Sequence, residues 1–119
     1  MAAPAARRKN RRIIRTKPKT ENILGYQFSI EYVPQKHLDG TDEDVHGETY
    51  GFKKQIRIRD TLTGDDLGAT LIHEYMHAIL HVSGWTYALD DKVEEGLVTV
   101  LENGLWPIIK DWLENGGVS

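Results

Sequence analysis

The segment from Gly64 to Gly84 limits most narrowly what this chain can fold into. Leu67, Leu71, Tyr75, Ala78, Ile79 and Val82 recur at helical spacing. An amphipathic helix with one apolar stripe is expected, opened by Asp65 or Asp66 as N-cap and closed by Gly84. The side opposite the stripe carries His73 and His77 with Glu74 between, in the run His73-Glu74-Tyr75-Met76-His77. A histidine packed in a core belongs within the stripe, whereas two imidazoles off it, one turn apart, face a cleft. Side chains four residues apart leave an α-helix on nearly the same face, so the two rings can grip one Zn²⁺. Glu74 then lies beside the fourth coordination position, where a carboxylate can take a proton from a water acidified by the metal.

A catalytic zinc takes three protein ligands and keeps one position open, so a third ligand is needed. The chain has no cysteine, which leaves His, Asp and Glu. His81 continues the series 73, 77, 81, but its ring starts about 12 Å from that of His73 along a straight helix, which makes it a flanking group. Leu80 and Ser83 occupy the positions where the extended metzincin pattern has Gly and His. The remaining source is Glu94 or Glu95 in the next helix. With Asp91 as N-cap, Glu94 can complete a capping box; Glu95 has no such structural task and precedes Gly96, where two helices could pack closely. Against this, Glu94 lies nearer the centre of the Leu97, Val98, Leu101 face, so the residues alone leave both open.

Around the motif helix, the alternation of Ile23, Tyr26, Phe28, Ile30 and Tyr32 or Val33 indicates a strand over 22–33, ended by Pro34, followed by a polar loop over 35–49. Gln55-Ile56-Arg57-Ile58-Arg59 reads as a strand buried on one side, at a sheet edge. A second helix is expected from Asp90 or Asp91 to Asn103, stopped by Gly104, with Val93, Leu97, Val100 and Leu101 buried. Leu105 to Leu113 reads as a last short helix with Pro107 in its first turn. The fold class expected is α+β: a short antiparallel sheet with helices on one face, in a single domain over 20–119.

Residues 1–19 carry eight of the chain's fifteen basic residues and no acid, leaving seven basic residues against eighteen acids, so a +8 segment precedes a −11 body. Such a segment is expected to be a disordered tail, serving as a solubilising or self-docking arm or contacting nucleic acid or an acidic partner. No apolar run approaches the roughly 20 residues of a membrane span, and no secretory core follows the basic start, so a cytoplasmic protein is expected.

From Gln55 to Leu105 the chain resembles the gluzincin metallopeptidases, in which a helix downstream of H-E-x-x-H delivers a Glu. The positions after the family's Glu match Gly96, Leu97, Val100 and Leu101 around Glu95, and Glu95-Gly96-Leu97 is similar to the Glu-Gly-Phe of the aminopeptidases. The resemblance thus implies a zincin-like fold with His73, His77 and Glu95 as zinc ligands and Glu74 as catalytic residue. It departs at Thr99, where the family often has an Asp or Asn that orients the first histidine. In size the chain looks like the minimal gluzincins and small metallopeptidase-like proteins of phages.

The function expected is zinc-dependent hydrolysis of a peptide bond in a narrow protein target. Strand 55–59 would pair with an extended substrate, and Tyr87, Tyr50 or His46 would serve as oxyanion donor. The rival expectation is a non-catalytic module with structural zinc, whose basic tail binds nucleic acid or an acidic partner. The basic tail could also hold the enzyme latent by occupying its cleft.

Overall fold

The computed structural model describes residues 16–39 and 45–116. In chain order the elements are β1 (Thr20–Ile23), β2 (Tyr26–Val33), a 3-10 turn (Gln35–His37), β3 (Gly47–Tyr50), β4 (Gln55–Arg59), α1 (Gly64–Val82), a second 3-10 turn (Trp85–Tyr87) and α2 (Asp91–Glu114). The fold is α+β, and the described residues form one four-stranded sheet ordered β1-β2-β4-β3 and two α-helices. The sheet is mixed rather than antiparallel: β2 runs parallel to β4, and the outer pairs β1·β2 and β3·β4 are antiparallel.

Three strand expectations are corrected. The single strand over 22–33 is a hairpin, because Leu24 and Gly25 both take positive φ (51° and 88°) and turn the chain within two residues. Asn22 Oδ1 accepts from the Gly25 N–H and holds that turn. The expected loop over 35–49 ends in a strand, Gly47–Tyr50, whose residues are all half-buried and show no apolar alternation. That strand covers β4, so β4 is internal and β3 forms the edge. Ile56 and Ile58 are fully buried on one face of β4, while Arg57 on the other pairs with Glu31 of β2.

Helix α1 lies across the apolar face of the sheet. Leu67, Leu71 and Ala78 join Phe28, Ile30, Ile56 and Ile58 in the core, with Tyr75 and Val82 packed against it. Ile79 of the expected stripe is exposed. The N-cap is Thr63, with Asp65 and Asp66 in the first turn, where acids favour the positive end of the helix. Gly84 takes φ 88° just beyond the C-terminus, the left-handed conformation expected of it.

Helix α2 differs most from expectation. It runs unbroken through Gly104 and Pro107 to Glu114, so no separate last helix exists. Its N-cap is Asp90, whose side chain accepts from the Lys92 N–H. The residues buried on it are Glu94, Val98 and Trp106; Val93, Leu97, Val100 and Leu101, expected to be buried, are exposed. The helix packs chiefly on α1 rather than on the sheet. Close packing of the two helices occurs at Gly68, not Gly96: a Cβ on Gly68 would stand 2.2 Å from the Trp106 ring, while one on Gly96 would meet nothing within 4 Å. Trp106 Nε1–H donates to Asp65 Oδ1 at 2.7 Å, tying the second half of α2 to the start of α1.

Of the basic N-terminal segment, residues 1–15 lie outside the described residues, and with them most of the expected tail. Residues 17–19 lie against the sheet: Lys17 Nζ donates to the Asp60 carbonyl, Pro18 accepts from the Tyr32 hydroxyl, and Lys19 accepts from the Ile30 N–H. No helix among the described residues is long and apolar enough to cross a membrane.

Candidate metal centre

Helical periodicity places the His73 and His77 rings together, their centroids 5.0 Å apart, on the side of α1 that faces α2. One turn into α2, Glu95 reaches both: Oε1 lies 2.8 Å from His73 Nε2 and Oε2 lies 2.9 Å from His77 Nε2. Ligand atoms of His73, His77 and Glu95 all lie within 4.8 Å of one another, close enough to bind one metal ion. His81, two turns beyond His73, stands outside this group; it rests against Gly51 and the rings of Phe52 and Tyr87.

Each imidazole is also held from behind. Glu94 Oε2 lies 2.6 Å from His77 Nδ1, and Glu102 Oε1 lies 2.8 Å from His73 Nδ1. A carboxylate at Nδ1 keeps the proton on that nitrogen and turns the Nε2 lone pair outward, the tautomer that ligates a metal. Two expectations are thereby corrected. Glu94 completes no capping box, because its side chain is committed to His77. Thr99 orients no histidine; it is exposed, and Glu102 has the task instead. Glu102 was legible in principle, since it follows Glu95 by seven residues and so returns to the same helix face after two turns.

Glu74 lies beside the pair and is buried, with 5 % of its surface exposed. Thr49 Oγ1 of β3 donates to Glu74 Oε1 at 2.8 Å, leaving the other carboxylate oxygen without that bond. Burial pushes the Glu74 pKa up, against the opposing pull of the Thr49 hydrogen bond and the two histidines. For His77, burial disfavours the charged ring, but the Glu94 hydrogen bond and the charges of Glu74, Glu95 and Glu94 outweigh it and raise its pKa. Strand β3 passes so close above α1 that a Cβ on Gly47 would stand 3.1 Å from both Glu74 Cγ and Thr70 Cγ2.

These groups share a cleft of about 810 Å³. Among the described residues, Glu48, Asp66, Glu74, Glu94, Glu95 and Glu102 line it, and no lysine or arginine does. Within this acidic lining, the two imidazoles and the Glu95 carboxylate form a donor set suited to a divalent cation, which would offset part of the negative charge. Of the three oxyanion donors expected, only His46 lines the cleft. The Tyr50 hydroxyl is bound to Asp39 and Glu48, and the Tyr87 ring packs at a tilt against Phe52 and His81. Comparison of the chain with protein-family models, curated proteins and solved structures yields no match.

Proposed function

We propose that this chain is a zinc-dependent peptidase of minimal, gluzincin-like and zincin-like design. The observation that carries the reading is the convergence of His73 Nε2, His77 Nε2 and the Glu95 carboxylate beside a buried Glu74 in an open cleft. The residues fit zinc: two nitrogen donors and one oxygen donor, each imidazole fixed in its ligating tautomer by Glu94 or Glu102. Zinc held there would supply Lewis acidity toward a water and the scissile carbonyl.

The chain's own groups would do the rest. Glu74 takes a proton from the attacking water on its free carboxylate oxygen as the carbon–oxygen bond forms, then delivers it to the amine nitrogen as the carbon–nitrogen bond breaks. A base with a raised pKa holds and releases a proton nearer neutrality than an ordinary carboxylate does. Thr49 fixes the orientation of Glu74 during both transfers. His46 is the nearest remaining candidate for the oxyanion donor.

The substrate track proposed from the sequence moves from β4 to β3. Arg59 N–H donates to the His46 carbonyl, so the alternation of an antiparallel ladder turns the backbone groups of Gly47 and Thr49 away from β4. An extended peptide adding to that edge would lie over His73 and His77. The six carboxylates around the cleft favour a peptide with basic residues next to the scissile bond.

Metal analysis and peptide hydrolysis by the purified protein and two variants test this reading. Glu74→Gln should keep its zinc and lose hydrolysis, while Glu95→Ala should lose most of its zinc. Wild-type protein that binds zinc and cleaves no peptide, including Lys- and Arg-containing ones, would instead favour structural zinc.

A further inference from the structure

Beside the face of α2 that carries Glu94, Val98, Glu102 and Trp106 runs a second stripe that no described residue covers. Val93, Leu97, Leu101, Leu105, Ile108 and Trp112 are each 40–55 % exposed. At 100° per residue they span about 120° of the helix circumference over about 29 Å of its length. Their open surface sums to about 600 Å², at the upper end of the largest patch found on monomeric proteins.

Gly104 lies within the stripe and supplies an independent observation. A Cβ there would meet nothing within 4 Å, so among the described residues no contact requires a glycine. A helix-interior glycine costs about 1 kcal/mol relative to alanine. The approach of a second helix, whose distance is set by the side chains at the crossing, gives the missing side chain a use.

We infer that this stripe docks against the same stripe of a second copy of the chain, around a two-fold axis near Gly104. Complete cover of two such faces would bury up to about 1,200 Å², most of it apolar. With apolar atoms forming about 65 % of a homodimer interface, the total would reach at most about 1,800 Å², within the size of stable interfaces. The six stripe side chains are uncharged; Asp111 stands at the edge of the sector, at the angle of Val93, and an axis near Gly104 would set the two Asp111 carboxylates about 21 Å apart along the helices, well beyond the screening length of about 8 Å. A membrane surface fits poorly. Apart from the three glutamates turned to the histidines, α2 carries Asp91, Asp111 and Glu114 against Lys92 and Lys110, and Lys110 pairs with Asp65, so the stripe lacks the basic rim that binds anionic lipid. Because α2 also delivers Glu95, docking braces the helix that completes the candidate metal centre.

Sedimentation equilibrium of the full chain between about 1 and about 100 µM tests the inference. The wild type should run at twice the monomer mass of 13.5 kDa at the upper concentrations. Gly104→Glu, which places a charge in the stripe without removing any contact within the chain, should run at the monomer mass with an unchanged circular dichroism spectrum. The absence of cysteine permits a second measurement. Gly104→Cys should form a disulfide-linked pair on mild oxidation, and Asn103→Cys, on the opposite side of α2, should not. A wild type that stays at the monomer mass throughout, a Gly104→Glu protein that remains paired, or equal cross-linking at 103 and 104 overturns the inference.

Discussion

Replacing Glu102 by alanine removes the carboxylate behind His73 while leaving all three proposed ligands in place. The bond it removes is 2.8 Å long, and the Glu102 side chain is 23 % exposed, so water can only partly take its place. Loss of such an outer partner weakens metal binding about 10- to 100-fold. At about 1.4 kcal/mol per factor of ten, that is about 1.4–2.8 kcal/mol. Glu94 is closer to its histidine and less exposed, 2.6 Å and 12 %, so Glu94→Ala should weaken zinc binding at least as much as Glu102→Ala. Glu102→Gln keeps an oxygen that can accept from Nδ1–H but removes the charge, and should fall between wild type and Glu102→Ala. Thr99→Val, at the position the family resemblance singles out, should leave affinity unchanged because Thr99 touches neither imidazole. Competition with a chromophoric chelator measures all five proteins on one scale. Wild-type affinity in Glu102→Ala, or an equal loss in Thr99→Val, would refute the reasoning.

Two glycines in the helices should respond oppositely. Gly68→Ala forces a Cβ to within 2.2 Å of the Trp106 ring and should cost about 1–3 kcal/mol in urea unfolding, whereas Gly96→Ala meets nothing and should gain up to about 1 kcal/mol. The Asp65 pKa is held down by the Trp106 hydrogen bond and, less strongly, by Lys110. A carboxylate whose pKa is lowered by folding stabilises the fold above its unfolded value of about 4, and the gain disappears as pH falls through the folded value. The stability difference between wild type and Asp65→Asn should therefore shrink on acidification from pH 7 toward 3; solvent screening at this exposed site keeps it below about 1 kcal/mol.

The motif helix was legible because its signals are local. Leu67, Leu71 and Ala78 repeat with the helical period, and that same period sets His73 and His77 on one face whatever surrounds them. Gly84 needs only its own left-handed backbone to end the helix. Strand β4 was legible from its alternation, but its neighbours were not. Gly47–Tyr50 lacks an apolar pattern, and its strand character comes from the ladder it forms with β4. The 22–33 segment concealed a turn because Leu24 supplies no sign of the positive φ it adopts beside Gly25.

Helix α2 marks the division between what sequence and tertiary structure determine. Local chemistry by itself determined that a helix begins near Asp90, that an acid from Glu94-Glu95 could approach the histidines, and that the chain offers two imidazoles and a carboxylate to a divalent ion. Only packing decided which face of that helix turns inward. Trp106 seated on Gly68 and the carboxylates of Glu94, Glu95 and Glu102 bonded to the imidazoles orient α2 so that Val93, Leu97 and Leu101 are left outside. Periodicity identifies a stripe but not the surface it meets. That choice depends on contacts across 17 to 41 residues of chain, from His77 to Glu94 and from Asp65 to Trp106, which no local window contains.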